Sequence, residues 1–584
     1  MAQFAPAPSI GPLTAMDAKA ETLAKWEAFA DETDEGETRR QSNVFVRQAV
    51  EAYGRGDTAQ AAKYALAATK ADESNARAFH ILAMALEKMG HRYKALVTYE
   101  RAFQLDPNDP SLALDLGLTA WNQNMKEGAE RMFRLYIQAC PDSPLGYNNL
   151  GSALGDMGKT SMAIDTLRSA IERMPTVPML WNSLATVLAG DGRADESIVF
   201  YREAIRLNPV MSKTYHNLGY AYSHLGMMAE ALDAFDNALV HVTDQDDRIE
   251  ANHSRSICLI GMGRLEEGFR EYEIRNDARF RDYVHHITKA PLWRGEPLEG
   301  KRILVVGEQG LGDELMFANV LPDIAHAVGA EGKLEIAVDP RLIALFQRSF
   351  PHAAVGRYED RTLLDKEGNR HLRFIPFAVE KGEPDFYAPM GTLLPAFRKR
   401  VEDFPHEAFL KPDGARVKQF REVLRADGAG PAVGICWRSM MLGPKRAKYY
   451  SSLEMWGPIL KTPGVRFVNL QYGDCADELA RARDLFGIDI KTIDGLDLTN
   501  DVDGAAALCA ALDLVISAPT AAAATAGSVG TEVWFPTAGR TWPQLGTDEY
   551  PWYRKSHVFS PTKFADWNEL MPRIGECLAA FASR

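Results

Sequence analysis

Cysteine is scarce. Six in 584 residues (Cys140, Cys258, Cys436, Cys475, Cys509 and Cys577) lie far apart with no Cys-x-x-Cys pair, which excludes a disulfide framework and a cysteine-rich zinc site. Positive charge is also short: 66 Lys plus Arg against 79 Asp plus Glu give a net charge of −13, with no dominant basic stripe. That balance argues against a surface that holds nucleic acid through counterion release. Long apolar runs are missing too. Ala505 to Gly527 is interrupted by Asp513 and Pro519, so it cannot supply the roughly 20-residue apolar span of a membrane helix. Met1 to Ile10 lacks the basic start and apolar run of an export signal. No His-Glu-x-x-His occurs and His285-His286 has no acid or Cys at ligand spacing, so no metal is expected. No Gly-x-Ser-x-Gly elbow appears, which leaves a hydrolase triad unsupported. The expectation is a cytoplasmic protein whose 46 % apolar side chains fill three or four domains.

What is present first is repetition. Pro107, Pro141, Pro175 and Pro209 follow one another at 34 residues, and the same step links Gly56, Gly90, Gly158, Gly192 and Gly226, with Asn124 in the gap. A third column runs through Ala61, Ala95, Ala129, Ala163, Ser197 and Ala231. Each unit reads as two amphipathic helices, the glycine ending the first and the small residue admitting the second closely. This resembles the tetratricopeptide repeat, with six units from about Ser42 to Gln245 and a seventh, slipped by three residues, around Gly263, Gly268, Phe269 and Tyr272. The large signature residues of such a solenoid are core, and binding belongs to its concave face. Asn148, Asn149, Asn182, Ser183, His216 and Asn217 fall there by register. Amides donate and accept at once, so a row of them can pair with an extended backbone without reading its sequence. The row resembles the asparagine ladder of O-GlcNAc transferases, although Ile81 and Asp115 occupy its earlier rungs; the alternative is a merely solvated groove.

The second half alternates strand and helix. Glu271 to Arg275 is a polar passage, after which Arg302 to Val306 reads as a strand that enters Gly307-Glu308-Gln309-Gly310-Leu311-Gly312-Asp313-Glu314, and Leu315 to Val328 has helical periodicity. Neither the P-loop nor the dinucleotide fingerprint fits this turn. A strand at Leu334 to Val338 and a helix at Pro340 to Ser349 precede a loop-rich passage to Leu410, then a helix at Ala415 to Ala426. A second unit opens at Pro431 to Trp437 and continues with strands at Arg466 to Gln471, Asp489 to Ile493 and Leu512 to Ser517, a helix at Ala521 to Gly527 and a closing helix at Asn568 to Phe581, which is expected to cross back over the junction. The fold expected is an all-α solenoid followed by an α/β region of two Rossmann-like halves: a tail at 1–41 with a short helix around Trp26 and Phe29, repeats at 42–282, and halves at 283–427 and 428–584. A ligand would lie between the carboxyl ends of the strands.

Several passages carry a family resemblance: Glu308 to Asp313, Val433 to Trp437, Val468 to Gln471, Ala511 to Ser517, Ala526 to Gly530 with Val533-Trp534, and Pro551-Trp552-Tyr553. They are similar to bacterial proteins that fuse tetratricopeptide repeats to a GT-B glycosyltransferase domain related to the heptosyltransferases, most of all the flagellin glycosyltransferases of stalked alphaproteobacteria. The resemblance implies an inverting, metal-independent enzyme without a cofactor. Its repeats would dock flagellin, and its donor would be a nucleotide sugar, a CMP-nonulosonate of the pseudaminic or legionaminic acid type, used on Ser or Thr. Asp313 matches the proposed base, and its other reading is a first-turn acid that favours the helix dipole. Gln309, Gly310, Gly312, Gln471 and Thr520 would meet the donor, as would the cations Arg438, Lys445, Arg446 and Lys448, which a solvated loop also explains. Where relatives carry Asp-Thr and a later His, this chain has Pro519-Thr520 and Ala524. An anionic sugar would be repelled by that Asp, and decay to a non-catalytic adaptor is the competing reading. ADP-heptose or a UDP-N-acetylhexosamine are the alternative donors.

Overall fold

The computed structural model describes residues 36–365, 368–377, 382–426, 428–440 and 444–584. The helix expected around Trp26 and Phe29 lies outside them. The described residues divide into two compact units, 36–217 with the ends of a hairpin at 364–365 and 368–369, and 218–363 with 370–584.

Among the described residues, the repeats supply fourteen helices in seven pairs: α1 (Glu37–Gly54) and α2 (Thr58–Ala71), α3 (Ala76–Lys88) and α4 (Arg92–Leu105), α5 (Pro110–Asn122) and α6 (Lys126–Ala139), α7 (Pro144–Asp156) and α8 (Thr160–Arg173), α9 (Pro178–Gly190) and α10 (Ala194–Leu207), α11 (Ser212–His224) and α12 (Met228–His241), α13 (Gln245–Gly261) and α14 (Leu265–Tyr272). The periodic glycines end the first helix of each pair in the left-handed region, and Asn124, in the position of a glycine, adopts φ 62° as well. Asparagine is the residue that tolerates this region best after glycine. The periodic alanines are fully buried, and Ser197 in their column donates its hydroxyl to the Ala194 carbonyl at 2.7 Å. In the first unit Val46, Ile81, Tyr99, Phe133, Leu150, Leu167 and Leu184 belong to one continuous core.

In the second unit, β1 (Val284–Ile287) lies beside a hairpin of β5 (Glu359–Asp365) and β6 (Gly368–Phe374). The N-terminal half is a parallel sheet of β2 (Arg302–Val306), β3 (Lys333–Val338), β4 (Ala354–Arg357) and β7 (Phe386–Pro389), in the order β4-β3-β2-β7. The C-terminal half is a parallel sheet of β8 (Ala432–Cys436), β9 (Arg466–Asn469), β10 (Leu514–Ser517), β11 (Val533–Pro536) and β12 (Ser556–Phe559), in the order β12-β11-β10-β8-β9. The strand expected at Asp489 to Ile493 is reduced to one parallel bridge, Val468 to Lys491. With Lys491 counted, the second sheet runs 3-2-1-4-5-6, the doubly wound order, and the first runs 3-2-1-4. All-apolar strands such as Ile303 to Val306 follow from this architecture, because helices cover both faces.

Three expectations are corrected. The passage before Leu410 holds β4 to β7, and β7 pairs with β2 from Ile303 against Phe386 to Val306 against Pro389. Four residues ending in proline next to a Gly-Glu-Pro-Asp turn look like a loop locally; the pairing comes from tertiary contacts. The helical stretch after the glycine turn is interrupted at Ala318–Val320 by a 3-10 turn before Leu321–Ala327. The closing helix, Trp567–Ala582, joins the C-terminal half's own core, where Leu570, Ile574 and Leu578 meet Val433, Ile435 and Leu514.

The Asn124 turn yields a test. Asn124→Gly should leave the urea midpoint, followed by helical circular dichroism, unchanged or slightly raised, whereas Asn124→Val, forced into the left-handed region, should lower stability by about 1–2 kcal/mol.

Candidate functional site

The glycine turn leaves β2 at its carboxyl end. Gln309 has φ 63°, a conformation that costs a non-glycine residue energy and tends to persist where surrounding contacts dictate it. Its side-chain amide donates to the Tyr272 hydroxyl at 2.5 Å. Glu308 is buried and accepts two hydrogen bonds from the buried Arg275 guanidinium, at 3.0 and 3.1 Å, and one from the Gly391 amide. The polar passage expected at Glu271 to Arg275 is thus partly interior: Arg275 is only 5 % exposed. Gly310 caps the helix Leu311–Phe317, and the amides of Asp313 and Glu314 both donate to its carbonyl, at 2.9 and 3.0 Å. Asp313 is buried, with Oδ2 3.6 Å from where a Cβ would stand on Gly310. Burial raises the phenols of Tyr272 and Tyr553, and the Asp313 carboxylate adds to both, so both rings stay protonated.

Sequence reasoning passed over Glu314, which lies under the turn. It accepts from the Asp339 amide at 3.0 Å and from the Tyr358 hydroxyl. Arg373 stacks over the Tyr358 ring at 3.6 Å, donates to the Gly307 carbonyl and grips Asp360 through two bonds of 2.7 and 2.8 Å. Burial pushes the Glu314 carboxyl up to about 7, against the two hydrogen bonds it accepts.

In the C-terminal half, Gln471 ties β8 to β9. Its Oε1 accepts the amides of Trp437 (3.2 Å) and Arg438 (3.0 Å), and its Nε2 donates to the carbonyls of Arg438 (2.9 Å) and Tyr472 (3.1 Å). The Arg438 guanidinium is held by Glu478, with Nε to Oε1 at 2.8 Å, and by the Asp474 carbonyl at 2.9 Å. Burial opposes ionisation of Glu478, yet hydrogen bonds from Arg438 and Trp437 keep it below the usual carboxylate range. Thr520 precedes the helix Ala521–Ser528, buried, with its hydroxyl 3.3 Å from Ser517 Oγ and 3.6 Å from Cys436 Sγ.

A cavity of about 250 Å³ lies between these two halves. Gly310, Gly312, Arg446 and Thr520 line it, together with Arg341, Tyr450, Tyr472 and Thr499, and among the described residues no Asp or Glu does. Asp313, Gln309, Arg438, Lys448 and Gln471 lie outside that lining: Lys448 Nζ sits 5.5 Å over the Tyr449 ring, and Gln471 and Arg438 are engaged as described. The Lys445 side chain lies outside the described residues. Arg341 makes a two-bond pair with Asp339, at 2.9 and 2.8 Å, and donates to the Thr499 carbonyl at 3.1 Å. Arg341, Tyr450 and Tyr472 were not singled out from sequence. Arg341 and Tyr472 sit just past the carboxyl ends of β3 and β9, where doubly wound sheets bind ligands, and that position is the signal that finds them. The first turn of Ala521–Ser528 adds amide donors to a wall whose charged side chains, among the described residues, are arginines, an arrangement suited to phosphate.

In the first unit the expected amide row is largely turned inward. Asn148 and Asn149 are fully buried and Asn182 nearly so. Asn148 accepts from the Ser183 hydroxyl and donates to Asn149 Oδ1 at 2.9 Å. His80 and Asp115 make a buried pair at 2.8 Å with the same 35-residue step as Asn148 and Ser183. Asn217 Nδ2 is 3.4 Å from Thr186 Oγ1. Successive repeats are therefore stitched by the positions that sequence register assigns to the groove. The half-buried His216 imidazole is pushed down to about 4 by burial and by Lys213, so it is neutral at neutral pH.

Tetratricopeptide repeat models match residues 76–109, 148–212 and 212–239. The chain is 40 % identical over 567 residues to Protein FlbA of Caulobacter vibrioides, covering 97 % of this chain and 94 % of that protein. Among solved structures, YrrB, described as a TPR protein with an unusual peptide-binding site, matches with TM-score 0.26 at 21 % identity over 33 % of this chain and 98 % of its own. A repeat protein of Parabacteroides merdae matches with TM-score 0.36 at 14 % identity over 40 % and 91 %. Among the described residues no helix is long and apolar enough to cross a membrane.

The buried Glu314 sets a pH test. A carboxyl raised from 4.5 to about 7 in the folded state binds more protons there than when unfolded, so stability falls as pH rises from about 4.5 to 7 and levels above. Glu314→Gln should cancel that slope: relative to wild type, its unfolding free energy should gain up to roughly 3 kcal/mol across the window in urea titrations at successive pH.

Proposed function

The chain belongs to the family of Caulobacter vibrioides Protein FlbA, and on that footing we propose that it is a protein O-glycosyltransferase that docks flagellin on its repeats. It would transfer a nonulosonate from a CMP donor to Ser or Thr. The observation that carries this reading is the cleft between the two parallel sheets, with arginines and a helix N-terminus on its wall and, among the described residues, no acid. Such a wall favours a donor that bears phosphate and carboxylate together.

In the reaction, the acceptor hydroxyl oxygen attacks the anomeric carbon while the bond from that carbon to the phosphate oxygen breaks. The hydroxyl proton passes to Asp313, and CMP leaves with the electron pair. Asp313 is the base by this reading because, although buried outside the cavity lining, it follows the lining residues Gly310 to Gly312 directly and its Oδ2 lies 3.6 Å from where a Cβ would stand on Gly310. Arg446 and the amides of the Ala521–Ser528 first turn receive the growing phosphate charge. Chemistry of this kind needs positioning and charge stabilisation, which the residues around the cleft can supply without a metal.

A non-catalytic adaptor is favoured by one observation, the Pro519 and Ala524 side chains where related enzymes carry Asp and His. Intact mass of flagellin co-expressed with this chain in a host that makes the CMP-nonulosonate separates the two. The transferase reading expects a mass increase of one or more nonulosonate residues, and a loss of that increase by at least ~100-fold in Asp313→Asn with flagellin binding retained. An unshifted flagellin with verified donor would leave the adaptor.

A further inference from the structure

The second compact unit begins inside α11, so the last repeats pack with the α/β region. Its hydrophobic core runs without a break from Ile260, Leu265, Phe269 and Tyr272 of the seventh repeat through Leu315 and Phe317 of the N-terminal half to Val515, Phe535 and Trp542 of the C-terminal half. The fully buried Trp552 is where these sources meet. Its ring contacts Phe269 at 6.4 Å, Phe317 at 5.8 Å, Phe404 at 4.8 Å and Trp542 at 5.8 Å between centroids.

Polar contacts from the same repeats reach both lips of the cleft. On the N-terminal lip, Tyr272 holds the amide of the strained Gln309 and Arg275 holds Glu308. On the C-terminal lip, His224 at the end of α11 is hydrogen-bonded to the Tyr449 hydroxyl at 2.9 Å and stacked on Phe564 at 5.5 Å with the rings 6° apart. Tyr449 precedes Tyr450 and follows Arg446, both of which line the cavity. Burial and the neighbouring Lys448 keep His224 neutral, the state in which one ring nitrogen donates and the other accepts.

We propose that the sixth and seventh repeats are a clamp on the cleft, with Tyr272 and Arg275 as positioning residues for the glycine turn and His224 as the positioning residue for the Arg446 to Tyr450 segment. These residues touch no reacting atom; they fix the two segments that do. The proposal deepens the transferase reading only in naming the cleft a donor site, since the clamp itself is a statement about which contacts order which loops. It follows that the last repeats serve the cleft.

Amide hydrogen exchange of the full-length chain, read by mass spectrometry, tests this. Tyr272→Phe removes one hydroxyl and should raise exchange across 307–314 by about tenfold while leaving 446–450 unchanged. His224→Ala should do the reverse, and His224→Gln, which keeps a hydrogen-bonding group, should restore protection. Equal exchange in wild type and variants, or a uniform rise over the whole unit in each, would overturn the clamp. In parallel, titration of the same variants with CMP separates the two ideas. Local exchange changes with no CMP binding in wild type would uphold the clamp and defeat the donor site. Binding of CMP by wild type and variants alike, with exchange unchanged in both segments, would overturn the clamp and leave the donor site standing.

Discussion

The burial of Trp552 is the constraint on which the second unit depends. One indole with no exposure, its N–H satisfied by the Pro543 carbonyl at 2.9 Å, is packed by rings from a repeat helix (Phe269), from the N-terminal half (Phe317 and Phe404) and from the C-terminal half (Trp542). Aromatic contacts of this kind combine a large apolar area with directional edge-to-face geometry. Because three segments share one core, none can move without opening a cavity beside the others. The cleft therefore has a fixed floor, and what can adjust are its lips.

Those lips are governed by polar pairs in low-dielectric surroundings. Arg275 and Glu308 are both buried, and their attraction offsets the cost of leaving water only because further partners, Thr392, Tyr272, Glu273 and the Gly391 amide, complete the network. Removing one member would leave an uncompensated charge under the turn that carries Asp313. The opposite lip is built differently, with Gln471 satisfying the ends of β8 and β9 and Glu478 neutralising Arg438. Arg446 lines the cavity between these fixed points.

The periodicity of glycine, alanine and proline made the solenoid legible down to the asparagine that replaces a glycine, because a repeat writes the same steric demand many times. The strands β2, β3, β8 and β10 were legible as apolar runs because both faces are covered. β4 and β7 were not, since four residues carry little periodicity and their pairing partners are distant in sequence. Of the residues that the resemblance offered for a donor, Gly310, Gly312, Arg446 and Thr520 line the cavity. Arg438 and Gln471, expected to meet the donor, lie outside the cavity lining, because Glu478 and the backbone following β8 and β9 engage them, partners visible only in three dimensions. The groove amides misled for a related reason: helical register predicts which face a side chain occupies, and not whether a neighbouring repeat has already taken its hydrogen bonds, as Ser183 does for Asn148.

The central claim is that the cleft recognises a nucleotide through its phosphate. Calorimetric titration of the full-length chain with CMP and, separately, with cytidine tests it without any acceptor or sugar. The predicted result is CMP binding at least ~10-fold tighter than cytidine, with the difference shrinking as salt rises and in Arg446→Ala. Equal affinities for the two, or no heat from either, would contradict it.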